Sequence, residues 1–377
     1  MKKSRKKPKH SVLKVLEVGA FLLMFLFGAF LFNSAKVSAL EQEGNNGYKE
    51  IKLQRENFLA KTKGTKTKKN NTKKTDSKNN QKNNAKVESS AETNKTSNQN
   101  NVTYKEHRIS PNSRYYNYVW KDASGNVPEF KVYIFEPKNF NGRTVFVDAG
   151  HGDNSSPLVS QKREKVYPVE DSKLANMNTS RVGSNAYDIG VEARGFKNVY
   201  NNNETEPEFT IKVADVVKAK LLAKGYRVVM SRLDNKSNIS NGARSILAGE
   251  TSDIMVSIHS NASVNHGSFG TLAFYPGDKD YMSGETHTGY TKIFGLDKNQ
   301  ESSKRLANII SGKVASAAGL RNLGEHSAVL RIFTYSSIPT CLVEVGFSDN
   351  SNDAKALVEK KESISQGIVD GIEEYYK

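Results

Sequence analysis

Five short apolar runs, separated by stretches of helical periodicity, place the strongest constraint on how residues 104–377 can fold. Each run is five to seven residues long, as expected for strands that are buried on both faces. Between the runs, apolar residues recur at every fourth position, as they do along one face of a helix. This alternation predicts a single α/β layered domain with a mostly parallel central sheet flanked by helices, and Gly319 is placed to end one helix. The runs are 144–148, 226–231, 253–259, 270–275 and 340–346, and the helical positions are Phe209, Val213, Val217 and Leu221, then Leu306, Ile310 and Val314, then Ile364, Ile368 and Ile372.

Side chains capable of chemistry stand at or just past the ends of three of these runs. His151 follows the first run between Gly150 and Gly152, His259 ends the third run, and Glu344 lies near the end of the last. The carboxyl ends of parallel strands meet at one edge of a sheet, so we expect these side chains to lie close together. Two neutral imidazoles and a carboxylate are a typical catalytic zinc set, with a fourth position left for water.

A further carboxylate comes with the start of the first helical pattern, in the sequence NETEPE at 203–208. Thr205 and Glu208 fit a capping box, and Pro207 suits the first turn of a helix. The glutamates of this segment either complement the positive end of the helix dipole or present one carboxylate to the sheet edge. The residues themselves do not decide which glutamate that is.

The positive charge of the chain belongs to its N-terminal part. The chain has 56 Lys and Arg residues against 40 Asp and Glu residues. Residues 1–103 contain 22 of the basic and 8 of the acidic residues, a net charge of +14. Residues 104–377 contain the other 34 basic and 32 acidic residues, a net charge of +2. A nucleic-acid-binding domain would carry its basic surface on the folded part, so no nucleic-acid partner is expected. The single cysteine, Cys341, excludes an intramolecular disulfide and a multi-cysteine zinc site.

The N-terminal 40 residues predict export. A basic segment at 1–14 precedes a 15-residue apolar run at 18–32, and small residues at 37–39 suit signal peptidase. Cleaved signal peptide and retained membrane anchor both stay open, and both place the rest of the chain outside the cytoplasm. That location is the cell wall, the outer face of the membrane, or the medium if the protein is released.

Residues 41–103 are predicted to be a polar, disordered linker. Lys, Asn and Thr dominate 61–101, and so few apolar residues cannot offset the entropy of ordering. Its lysines could contact anionic wall polymers or membrane head groups, or the segment could be a passive spacer. The catalytic domain is then expected to span 104–377.

Six segments within about 145–376 combine into one pattern. They are 147–152 (VDAGHG), 206–211 (EPEFTI), 224–232 (KGYRVVMSR), 241–244 (NGAR), 257–262 (SIHSNA) and 339–347 (PTCLVEVGF). In this order they resemble the zinc-dependent N-acetylmuramoyl-L-alanine amidases, which hydrolyse cell-wall peptidoglycan. The resemblance implies cleavage of the amide between N-acetylmuramic acid and L-alanine by zinc-activated water.

The resemblance also implies the roles of particular residues. His151 and His259 would be zinc ligands, and the third ligand would be the glutamate that opens the helix before the KGY segment. Counting back along that helix from Gly225 leads to Glu206. The alternatives to Glu206 are Glu192, Glu204 and Glu208.

Glu344 would be the catalytic carboxylate, taking a proton from water and passing it to the leaving amine. Its apolar neighbours, such as Val343 and Val345, are expected to raise its pKa. Asp148 either accepts a hydrogen bond from the free ring N–H of a ligand imidazole or caps the turn after its strand. Arg244 is interpreted as structural, through an ion pair. Asn261 and Arg331 are candidates for contact with substrate.

The chain departs from the family pattern in an insertion at about 153–205, which is a substrate-side flap, a regulatory element over the site or a surface excursion. A polar loop at 277–300 is also placed to border the cleft. Two other functions stay open at this point. One is a different cell-envelope zinc hydrolase, a peptidase or a deacetylase; the other is a non-catalytic wall-binding module that has kept the fold.

Overall fold

The computed structural model describes most of the C-terminal two thirds of the chain. The apolar run at 18–32, nearly all of the predicted linker and most of the insertion at 153–205 lie outside the described residues. Among the described residues, no helix combines the length and the apolar character needed to cross a membrane. The described residues are 94–96, 103–113, 115–116, 131–152, 164–165, 187–188, 197–201, 203–235, 237, 239–263 and 266–377.

One nine-stranded sheet organises the fold, in the strand order β1-β2-β3-β7-β4-β8-β11-β9-β10. A separate pair, β5 and β6, forms a two-stranded antiparallel sheet. All five apolar runs predicted as strands are strands, namely β4, β7, β8, β9 and β11. The strands are β1 Asn94–Thr96, β2 Thr103–Arg108, β3 Lys131–Phe135, β4 Thr144–Ala149, β5 Glu164–Lys165, β6 Tyr187–Asp188, β7 Arg227–Met230, β8 Ile254–Asn261, β9 Thr271–Pro276, β10 Asn322–Ala328 and β11 Thr340–Phe347.

The sheet is mixed rather than mostly parallel, which corrects the prediction. The four central strands β7, β4, β8 and β11 run parallel to one another. On one side of them β3 pairs antiparallel with β7, and on the other side β9 pairs antiparallel with β11. The chain passes from β8 to β9 through only nine residues, 262–270. A connection to a parallel strand needs a longer crossover, so β9 returns in the opposite direction.

Helices cover both faces of the sheet, as the alternation of patterns predicts. On one face, α1, α4 and α6 bury their apolar stripes against β4, β8 and β11. On the other face lie α2, α3 and the 3-10 helix Arg331–Phe333. The helices are α1 Glu206–Ala223, α2 Asn241–Thr251, α3 Tyr290–Phe294, α4 Gln300–Ala318, α5 Ser351–Glu359 and α6 Lys361–Tyr375.

Two helix ends predicted from single residues are confirmed. Helix α1 begins after Thr205, whose backbone N–H donates to the Glu208 carboxylate at 2.8 Å, and Pro207 stands in the first turn. Helix α4 ends at Gly319, which has φ 67°, a left-handed conformation that costs little only for glycine. The start of α1 therefore has one defined position relative to the edge of the sheet.

Candidate metal centre

Three side chains from separate parts of the chain meet at the carboxyl ends of β4 and β8. His151 follows β4, His259 lies in β8, and Glu206 is the first residue of α1. The His151 Nε2 and His259 Nδ1 atoms are 3.1 Å apart. His151 Nε2 is 3.1 Å from Glu206 Oε2, and His259 Nδ1 is 3.1 Å from Glu206 Oε1. A backbone N–H of Ser260 also donates to Glu206 Oε1 at 2.9 Å, which holds this carboxylate in place.

The spacing and the type of these atoms fit a metal ion. Within the described residues, one group of His, Cys, Asp or Glu side chains is close enough to share an ion, and it is this one. In a tetrahedral zinc site with bonds of about 2.0–2.1 Å, neighbouring ligand atoms lie roughly 3.3–3.4 Å apart. The observed 3.1 Å is close to that separation. Burial lowers the pKa of His259, which favours the neutral imidazole that metals bind.

Of the three candidate glutamates that the structure describes, one lies next to the two histidines. Glu208 is engaged by Thr205 at the helix cap, and Glu204 is paired with Lys212 and Lys361. Glu206 alone of the described candidates faces the two histidines; Glu192 lies outside the described residues. Burial by itself would raise the pKa of Glu206, but the two imidazoles outweigh it and hold that pKa below its ordinary value.

His151 reaches the site through an unusual backbone conformation. Its φ is 61°, in the left-handed region that residues other than glycine rarely adopt. The preceding residue, Gly150, donates its N–H to the carbonyl of Ile258 at 3.0 Å, so the turn lies directly on β8. A Cβ on Gly150 would lie 2.4 Å from His259 Cε1 and 2.6 Å from that carbonyl. The glycine before His151 is therefore required for the two imidazoles to meet.

We expect Gly150→Ala to lower the free energy of unfolding by about 1–3 kcal/mol, because its methyl group overlaps backbone that cannot move freely. The same overlap pushes the His259 ring away, so metal content should fall as well. Gly312→Ala is the matched control, since the nearest atom to a Cβ there is 3.7 Å away. Thermal unfolding together with metal analysis checks both variants. Equal metal content and stability in Gly150→Ala and the native chain would contradict this reading of the turn.

Asp148 does not contact an imidazole directly, which corrects one reading of its role. The second ring nitrogen of His259, Nε2, lies 3.2 Å from Ser257 Oγ, and that hydroxyl donates to Asp148 Oδ2 at 2.6 Å. Alternation along β8 places Ser257 and His259 on the same face, which makes this relay possible. Asp148 thus orients His259 through a hydroxyl, and this leaves Nδ1 directed at Glu206.

Two buried arginines fix the backbone around His151. Arg244 forms an ion pair, as predicted, and the structure shows that its partner is Asp148. It also donates to the carbonyls of Ala149 and His151 at 2.9 and 2.6 Å. Arg232 donates to the carbonyl of Gly150 at 3.0 Å and to that of Pro207 at 2.7 Å. It therefore ties the His151 turn to the start of the helix that carries Glu206. The sequence patterns predict no role for Arg232. The one feature that could have pointed to it is its position at the end of the KGYRVVMSR segment.

Asp148→Ala should lower the free energy of unfolding by about 3–5 kcal/mol, because it leaves the guanidinium of Arg244 buried without its countercharge. Burial alone would raise the pKa of Asp148, but Arg244 and the hydroxyls of Ser231 and Ser257 hold it below its ordinary value. The carboxylate is therefore charged at neutral pH. Denaturant unfolding is the measurement, and Asp215→Ala, in a pair with Lys218 on the surface of α1, is the control. If Asp148→Ala lowered the free energy of unfolding no more than Asp215→Ala does, the buried pair of Asp148 and Arg244 would not be needed for stability.

Glu344 lies beside this group on the neighbouring strand. In the parallel pairing of β11 with β8 it is directly opposite His259. Its Oε2 atom is buried, and within the described residues it has no hydrogen-bond partner. Burial and the neighbouring Glu206 carboxylate raise the pKa of Glu344 well above its ordinary value. The direction agrees with the sequence prediction, which did not include the contribution of Glu206.

The two residues predicted to contact substrate occupy different surroundings. Asn261 ends β8, two residues beyond His259, and its side-chain oxygen accepts from the N–H of Ala262 at 2.8 Å. Arg331 is buried, donates to the Tyr335 hydroxyl at 2.9 Å and lies over that ring. It belongs to the layer that covers the Glu344 face of the sheet. Contact of Asn261 and Arg331 with substrate stays a prediction.

One protein-family model matches most of the folded part of this chain. The family model described as N-acetylmuramoyl-L-alanine amidase matches residues 145–374. N-acetylmuramoyl-L-alanine amidase LytC of Bacillus subtilis is 26% identical over 238 residues, which are 63% of this chain but only 36% of LytC. The uncharacterized protein YqiI of the same organism is 26% identical over 62% of this chain and 85% of its own length. The catalytic domain of CwlV, an amidase from Bacillus (Paenibacillus) polymyxa, is 23% identical with a TM-score of 0.42, covering 62% of this chain and 98% of that domain.

Proposed function

We propose, because the chain belongs to the N-acetylmuramoyl-L-alanine amidase family, that its folded part hydrolyses peptidoglycan. The bond cleaved would be the amide between the lactyl group of N-acetylmuramic acid and the L-alanine of the stem peptide. The observation that carries the proposal is the convergence of His151, Glu206 and His259 beside the buried carboxylate of Glu344. A binding module that had only kept the fold would not need this donor set.

The metal in this proposal is zinc, which His151, His259 and Glu206 would hold. When bound, it would supply a Lewis acid that makes water more acidic and polarises the scissile carbonyl. The protein's own contribution is to keep the three donor atoms in place. Ser257 and Asp148 orient His259, while Arg232 and Arg244 hold the turn that carries His151.

Glu344 would act as the proton carrier of the hydrolysis. It takes a proton from the attacking water as the new C–O bond forms, and it delivers a proton to the nitrogen as the C–N bond breaks. A carboxyl with a raised pKa can hold that proton between the two steps. Asn261, at the end of the His259 strand, and Arg331, on the same face of the sheet as Glu344, are proposed as groups that position the glycopeptide.

The activity requires a location outside the cytoplasm, and we propose that residues 1–40 direct export. Residues 1–40 act as a cleaved signal peptide or as a retained membrane anchor. The linker at 41–103 spans the distance to the wall, and residues 104–377 form the catalytic domain. The basic linker would contact anionic wall polymers or lipid head groups. N-terminal sequencing of the protein recovered from membrane, wall and medium fractions tests export and separates cleavage from anchoring.

Product analysis tests the reaction itself. Purified sacculi treated with the full chain and zinc should release stem peptides whose new free amino termini are on L-alanine. Released acetate would instead show a deacetylase, and new amino termini at another position would show a peptidase. Tight binding to sacculi without any new product would show a wall-binding module.

A further inference from the structure

An aromatic surface that the proposed reaction does not use lies on the same face of the sheet as Glu344. Tyr281 is 51% exposed, and its ring stacks on that of His326 with centroids 3.8 Å apart and planes inclined by 21°. The Tyr281 ring also lies 6.1 Å from that of Phe274 in β9. We call the rings of Tyr281 and His326 the Tyr281 platform.

Strand register gives the position of this platform relative to Glu344. Across β11 and β9, Glu344 is paired with Leu272, and the next residue on the same face of β9 is Phe274. His326 is paired with Phe274 on the outer strand β10. Residues paired in register project to the same side of a sheet. With strands about 4.8 Å apart and a rise of about 3.3 Å per residue, the backbone of His326 is roughly 12 Å from that of Glu344.

The loop that carries Tyr281 is anchored rather than loosely attached. The Tyr281 N–H donates to the carbonyl of Ser327 at 3.0 Å, which ties the residue to β10. Next to it, Asp280 is buried and accepts from the N–H of Val329 at 3.2 Å and from the hydroxyl of Ser283 at 2.9 Å. A ring held in this way offers a large flat contact area and loses little conformational entropy on binding.

The charge of this loop indicates which part of a glycopeptide it would accept. Residues 277–289 contain three acids against one lysine, Lys279, a net of −2. Two of the acids, Asp278 and Asp280, are held in hydrogen bonds to backbone N–H groups, whereas the side chain of Glu285 is 67% exposed. A carboxylate-bearing stem peptide is disfavoured beside these groups, whereas an uncharged sugar is not.

We propose that the Tyr281 platform is a subsite for a neutral N-acetylhexosamine ring of the glycan strand, which stacks on the exposed face of Tyr281. The proposal rests on the proposed amidase function for its substrate. It places the glycan strand along the edge strand β10, because Leu272 and Phe274, the residues of β9 on this face, are buried.

The test measures binding of the neutral N-acetylglucosamine tetrasaccharide to the full chain by titration calorimetry. Tyr281→Ala should weaken binding about threefold to tenfold, the range measured for one well-packed aromatic contact. Tyr281→Phe should bind like the native chain, because it keeps the ring. Tyr200→Ala is the matched control, since Tyr200 is also 51% exposed but contacts Glu359 on α5. With sacculi, Tyr281→Ala should raise KM and leave kcat unchanged.

Several results would overturn the subsite. The subsite would be wrong if the native chain did not bind the tetrasaccharide, or if Tyr281→Ala bound it as tightly as the native chain. It would also be wrong if Tyr281→Ala lost affinity for a synthetic stem tripeptide and not for the sugar. The tetrasaccharide is not cleaved by an amidase, so this arm is independent of catalysis. A native chain that binds the sugar through Tyr281 but cleaves no sacculi would support the subsite and remove the amidase function.

Discussion

Glu344→Gln should lower the kcat for release of stem peptides from sacculi by about 10²–10⁴, while the chain keeps its zinc. The amide has nearly the shape of the carboxylic acid, so the buried position beside His259 should stay filled. It can neither accept the proton of water nor deliver one to the leaving nitrogen. The expected result is therefore a stable protein that binds metal and leaves the wall intact.

Two measurements on one sample decide this prediction. Zinc content by elemental analysis is compared with the rate at which free L-alanine amino termini appear. Glu325→Gln is the control, because Glu325 lies on β10 next to His326 and so projects from the other face of the sheet. Full turnover by Glu344→Gln would remove Glu344 from the reaction. Loss of zinc together with activity would make it a ligand rather than a proton carrier.

His259→Ala should abolish both metal binding and activity, the largest effect expected of a single substitution in this chain. In the proposed metal site His259 supplies one of three donor atoms, and its ring also separates Glu206 from Ser257. Loss of a hydrogen-bonding partner behind a ligand typically costs 10–100-fold in metal affinity, so loss of the ligand itself should cost more than about 100-fold. Zinc titration against a competing chelator measures this directly.

The control for His259→Ala is His107→Ala. His107 in β2 also forms a close pair with a glutamate, Glu250, at 2.8 Å, but β2 lies three strands away from β4 in the sheet. Its removal should change stability without changing zinc content. If His259→Ala retained zinc with native affinity, the assignment of His151, His259 and Glu206 as the metal-binding set would be wrong.

The two substitutions together separate the proposed roles. Glu344→Gln should lose turnover and keep metal, whereas His259→Ala should lose both. This contrast is expected from the geometry. His259 Nδ1 lies 3.1 Å from both Glu206 and His151. Glu344 lies on the adjacent strand, and its buried Oε2 atom has no hydrogen-bond partner among the described residues. Identical behaviour of the two variants would leave the division of roles without support.

Local patterns determined much of the architecture. Short apolar runs identified β4, β7, β8, β9 and β11, and repetition of apolar residues at every fourth position identified helices α1, α4 and α6. Both patterns are local, because they are carried by residues close together in the chain. Capping at Thr205 and termination at Gly319 are equally local. The grouping of His151 and His259 also followed from sequence, since both stand at the ends of parallel strands.

Only the tertiary structure decided the features that join distant segments. The residues alone did not decide which of Glu204, Glu206 and Glu208 faces the edge of the sheet. Their partners became distinct only when α1 was placed against β4 and β8. The pair of Asp148 with Arg244 spans 96 positions, and the Tyr281 platform depends on β9 running antiparallel to β11. A periodic pattern specifies which side of an element is buried. It does not specify which other element covers that side, and this is set by the path of the chain and the lengths of its connections.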